Sequence, residues 1–186
     1  MLAFLKAELK SPRFSGEYQI DQRGLIDSAD LQSSSQNQAR LEALQRVKGA
    51  LVLRDATWRR VALEKGDLTR LKYLNHPDWI ELSGGTRLVS DGAKNVNSKK
   101  VSNINAHVLA IAHAVKTGAR HPELIAVVGE EEKGADMILT EGHARATAYV
   151  LAGWPGQIVC ILGTSRSTHG WDASYGQRAS QGTPPA

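Results

Sequence analysis

ADMILTEGHARATAYVLAGWPGQIVCILGT, residues 135–164, is the stretch whose reading decides the fold. Met137, Ile138 and Leu139 form an apolar run of strand type, followed by the polar turn Thr140-Glu141-Gly142-His143. The spacing then predicts a helix over 143–152 that stops at Gly153, the residue type common just past a helix end. Trp154-Pro155-Gly156 turns the chain into a second apolar run, 157–162. A strand, a turn and a helix in this order aim backbone N–H groups out of the helix start. Partial positive charge collects there, and a phosphate can sit on it. Gly142 lets the backbone turn tightly and approach a ligand. Arg145, in the first turn, adds a fork of donors matched to phosphate oxygens. Taken alone, these are also what a plain turn glycine and a surface arginine tied to Glu141 look like, and so short a pattern carries little weight.

Working outward, 186 residues accommodate one domain with appendages. Apolar and charged fractions of 41% and 23% are those of an ordinary globular chain. A net charge of +4 is compatible with anionic ligands or nucleic acid and diagnostic of neither. The single cysteine cannot form an internal disulfide, which fits a reducing compartment. No stretch approaches the roughly 20 apolar residues of a membrane helix, and Lys6 and Glu8 interrupt the apolar start before a signal-peptide core can build. A cytoplasmic protein with no membrane partner is expected.

Residues 1–56 read as an N-terminal extension, partly helical, with Leu41, Leu44 and Val47 at helical spacing. Trp58 to Leu63 alternates as a half-buried strand does, and Asp67 is expected to cap a short helix over 67–71. Trp79–Leu82 and Arg87–Val89 are predicted as hairpin arms around Ser83-Gly84-Gly85-Thr86, with 91–100 as a polar loop. Gly84-Gly85 could alternatively be a second phosphate loop, a use far rarer than a hairpin turn. Val101, Ile104, Val108, Ile111 and Val115 recur at three- and four-residue steps, which predicts a helix with one buried face ended by Gly118. The run 122–128 is almost continuously apolar, as in a strand covered on both faces. Residues 166–186 form a low-complexity tail in which Trp171 is expected to pack back on the core, with stacking on a nucleotide base as its sharper alternative. The element order gives an α+β fold with the central domain at 57–165.

Glu141-Gly142-His143-Ala144-Arg145-Ala146-Thr147-Ala148-Tyr149, behind an apolar strand and before Leu151-Ala152-Gly153, resembles the signature of the ParB/sulfiredoxin superfamily. The resemblance covers about 58–165. It implies a compact mixed sheet with flanking helices and a Gly-x-x-Arg turn over a nucleotide phosphate. Carried onto this chain, it places ATP or CTP on Thr140, Gly142, His143, Arg145 and Thr147. The sulfiredoxin branch would have cysteine at 143 and histidine at 144, so His143 and Ala144 leave its repair chemistry without a nucleophile. The partitioning branch has Gly-Glu-Arg-Arg, which is not matched either. Gly-His-x-Arg is nearest the branch that contains the free-serine kinases.

That branch implies Mg²⁺-dependent phosphoryl transfer or hydrolysis on a small-molecule acceptor. Glu141 would serve as cation ligand or acceptor contact, and His143 as a phosphate or acid–base group. Those kinases also place a catalytic glutamate earlier in the fold. Here the helix from 101 to 117 has no acidic residue, and the preceding Glu64 and Glu81 sit in no matching motif. A nucleotide-binding regulator without catalysis is therefore a second expectation. A DNA-binding or DNA-cleaving accessory protein of a plasmid or other mobile element is a third. For it, Arg59, Arg60, Lys94, Lys99 and Lys100 could form a basic surface, although no DNA-reading module follows the domain. The histidines show neither HExxH nor cysteine partners, so no structural zinc is expected. Arg120-His121 falls near where the superfamily lines its nucleotide cleft.

Overall fold

Alternating and continuous apolar runs build a five-stranded mixed sheet in the order β1-β5-β3-β4-β2. These are β1 (Thr57–Leu63), β2 (Leu71–Lys72), β3 (Leu124–Gly129), β4 (Met137–Glu141) and β5 (Ile158–Ser165). The computed structural model describes residues 56–98, 104–130 and 135–172. All of these belong to one of the chain's two units, Leu53–Gly182. The expected extension, Ala56 apart, and the tail beyond 172 lie outside the described residues.

Neighbouring strands pair in both senses. β1 runs antiparallel to β5, β5 parallel to β3, β3 antiparallel to β4, and β4 parallel to β2. Central β3 buries Leu124 through Val127 without a break, the expected consequence of cover on both faces. Period-two alternation divides the other strands. Val61, Leu63, Met137, Leu139, Cys160 and Leu162 face the larger core, whereas Trp58, Val127 and Ile138 form a smaller cluster with Leu74 and Trp171.

Four helices complete the larger core: α1 (Pro77–Leu82), α2 (Val89–Asn95), α3 (Ile104–Lys116) and α4 (His143–Leu151). The α3 periodicity buries Val108, Ile111, Ala112 and Val115, and both α2 and α3 pack on α4. The fold is α+β.

Three local expectations are corrected. No hairpin spans 79–89, because Pro77 opens a helix there whose N-terminal N–H, on Asp78, is accepted by the His76 ring at 3.4 Å. Left-handed backbone at Gly84, Gly85 and Arg87 (φ 68°, 96° and 62°) then reverses the chain between two helices rather than two strands. The loop expected over 91–100 contains the helix α2. Asp91 and Lys94 are bridged across its outer face at 2.8 Å, while Val89 and Ala93 are buried. Asp67 does not cap a helix over 67–71. It lies within a 3₁₀ turn (Lys65–Thr69) and accepts from Glu64 N at 2.8 Å, and Leu71 already belongs to β2.

The described fold continues past 165. Thr168 donates to Val128 O at 3.2 Å, and Asp172 pairs with Arg87 at 2.7 Å.

Gly92 has no room for a side chain, since a β-carbon there would collide with the Tyr73 ring and hydroxyl. In an open helix Gly→Ala gains about 1 kcal/mol. Here overpacking of about 1–3 kcal/mol wins, so Gly92→Ala should lower the urea midpoint rather than raise it.

Candidate functional site

β4 ends and α4 begins at Gly142, whose φ of 91° and ψ of 22° lie in the left-handed region. Space as well as torsion demands glycine. A β-carbon would come within 2.7 Å of Leu124 Cδ2 and 3.0 Å of Arg145 Nη2. No side chain caps this helix start, so its first-turn N–H groups keep the donor capacity and partial charge of an uncapped N-terminus. Arg145 folds back over the turn. Its Nη2 is 3.5 Å from Glu141 Oε1, and the two side chains are 13% and 21% exposed.

His143 is half-buried, and its ring stacks on Trp79 (centroids 5.2 Å apart, 16°). Trp79 in turn stacks on Tyr73 at 4.8 Å. The Leu74 N–H points at His143 Nε2 at 3.4 Å, a geometry that requires an unprotonated Nε2 and puts the neutral ring's proton on Nδ1. Thr147 is wholly buried and donates to His143 O at 2.7 Å. That donation leaves the Tyr73 hydroxyl, also 2.7 Å away, as donor to Thr147 Oγ1. Thr140 is buried and donates to Ile125 O at 3.3 Å, beside the register shift between Ile125 and Ala126. Of the six residues singled out in the sequence, Glu141, Gly142, His143 and Arg145 gather at the turn. Thr140 and Thr147 lie beneath it and brace it.

Tyr73 and Trp79 were not legible as neighbours of the motif, since nothing local marks contacts across some seventy residues of chain. The Tyr73 phenol is pushed well above its ordinary value, chiefly by burial, so it stays protonated. His121 lies just before β3. Its pKa is lowered, first by burial and then by the charges of Arg145 and His107, and its Nε2 is buried with no hydrogen-bond partner. Burial pushes the Cys160 thiol up to about 12, which removes it as a nucleophile at neutral pH.

Among the described residues no group of three or more His, Cys, Asp or Glu side chains could hold a metal ion. The basic surface weighed for DNA is dispersed. Arg60 pairs with Glu123 and Lys94 with Asp91, and Lys99 and Lys100 lie outside the described residues. Gly84-Gly85 joins α1 to α2. No described helix is long and apolar enough to cross a membrane.

Comparison with protein-family models, with curated proteins and with solved structures finds no match in any of the three. The functional case for the turn stands on its geometry.

His121 generates a pH prediction. Its pKa is depressed in the fold, so the unfolded chain takes up the proton first as pH falls below about 6.5. The stability it permits is complete above that value and is lost below it, and His121→Asn should flatten the pH dependence of the denaturation midpoint in that window.

Proposed function

We propose that the turn at the start of α4 binds the phosphates of a nucleoside triphosphate, ATP or CTP, in a domain of ParB/sulfiredoxin type. One observation carries the proposal: a left-handed glycine with no room for a β-carbon opens an uncapped helix beside a guanidinium folded over the same turn. Amide donors, helix dipole and a planar cation converging on one point are what a phosphate requires. The Trp79–His143 stack forms an apolar wall next to it.

The residues fit a nucleotide's phosphates better than a resident metal. Glu141 is the carboxylate nearest the turn and is already close to Arg145, so a Mg²⁺ ion would take most of its ligands from the phosphates and water. When bound, the ion would supply charge neutralisation on the phosphates. The fuller proposal is phosphoryl transfer or hydrolysis acting on a small molecule. In it, Glu141 contacts the cation or the acceptor hydroxyl, and His143 hydrogen-bonds a phosphate. Thr140 and Thr147 hold the turn in shape from below.

Calorimetry with ATP, CTP and GTP, with and without Mg²⁺, is the test. Arg145→Ala should weaken binding by about 1.5–3 kcal/mol through loss of a charge-assisted bond. Gly142→Ala should abolish it while the protein stays folded by circular dichroism. Unchanged affinity in both variants would place the nucleotide elsewhere or nowhere. Release of ADP or CDP in the presence of hydroxy metabolites such as free serine separates an enzyme from a binding module.

A further inference from the structure

A cavity of about 550 Å³ lies at the end of the sheet where β3 and β5 begin. Val115, Pro155 and Ile158 give it an apolar floor, and Arg60, Arg120, His121 and Tyr149 bring polar groups to its wall. Neither Gly142 nor Arg145 lines it, so it is distinct from the turn.

Some of its polar groups have no partner within the protein. Among the described residues no ion pair holds Arg120 and no hydrogen bond holds the Tyr149 hydroxyl, and His121 Nε2 is buried without a partner. The acid on the wall, Glu123, is loosely paired with Arg60 at 3.4 Å, which leaves Arg120 as net positive charge. Arg145 adds positive potential at both His121 and Tyr149.

A second cavity, about 420 Å³ at the opposite end of the sheet, makes the contrast. There Lys72, Arg87 and Arg166 are matched by Asp136, Asp172 and Glu130, so its charges are already answered within the protein. An apolar pocket with a few converging, uncommitted polar groups is the usual form of a small-molecule site.

We propose that the cavity at the start of β3 and β5 binds a small organic anion. Its carboxylate or phosphate is held by Arg120 and the Tyr149 hydroxyl, and its apolar body lies on Val115, Pro155 and Ile158. The site does not depend on nucleotide binding at α4, and the two are separable by mutation.

The test is a titration of the full chain with benzoate and with phenyl phosphate, read from the histidine ring signals by NMR, with benzyl alcohol as the uncharged control. Saturable shifts of the His121 ring with either anion are expected, and which anion binds tighter names the head group. Arg120→Gln should weaken that binding at least tenfold and Tyr149→Phe about fivefold. The proposal is overturned if neither anion gives a saturable shift, if benzyl alcohol does as well, or if Arg120→Gln binds like the parent.

Discussion

The hydrogen-bonded chain from the Tyr73 hydroxyl through Thr147 Oγ1 to His143 O holds the arrangement together. Both side chains are fully buried, so a polar group left without its partner there costs the whole of its desolvation. Tyr73 satisfies that constraint from just after β2, seventy residues before α4 begins. Its ring also lies against Gly92 of α2 and stacks on Trp79 of α1. One phenol therefore sets the distances among three helices, α1, α2 and α4.

Tyr73 is itself clamped. Its N–H donates to Arg87 O at 2.7 Å, and its carbonyl accepts from Arg87 Nε and Nη2 at 3.0 and 2.7 Å. The same guanidinium reaches Asp172, which also accepts from Asn75 N at 3.3 Å. A bidentate arginine pair that is 20% and 10% exposed is screened far less than a surface pair, and losing one partner would strand the other charge. The left-handed backbone at Arg87 is a cost that this network offsets. The turn at Gly142 thus stands on a scaffold fastened to the C-terminal end of the described residues through Asp172.

Much of this fold was legible where the pattern is local. β3 shows an unbroken apolar run, α3 a clean helical stripe, and β4-turn-α4 a strand followed by glycine and a helix, so each follows from a short local stretch of sequence. The failures also have local causes. Ser83-Gly84-Gly85-Thr86 carries hairpin chemistry, but Pro77 two residues after Asn75 had already committed the preceding segment to a helix. Gly92 reads as a loop residue, whereas its small size lets α2 approach Tyr73 closely. The turn was visible for the same reason that its supports were not. Gly142 and Arg145 are neighbours in sequence, but Tyr73, Trp79, Arg87 and Asp172 meet them or each other only through tertiary structure.

The same contacts bear on the proposed role of the turn. Glu141 and Arg145 sit 3.5 Å apart, a loose pair that a phosphate group, with more charge and a geometry matched to guanidinium, can displace. His143 is placed differently. Its Nε2 faces the Leu74 N–H and its ring is stacked on Trp79, so taking up a proton at Nε2 would set two donors against each other. Proton transfer through that nitrogen therefore works against the contact between Leu74 and α4. On these contacts the His143 ring is better suited to the proposed site as a stacked wall than as a general base acting through Nε2.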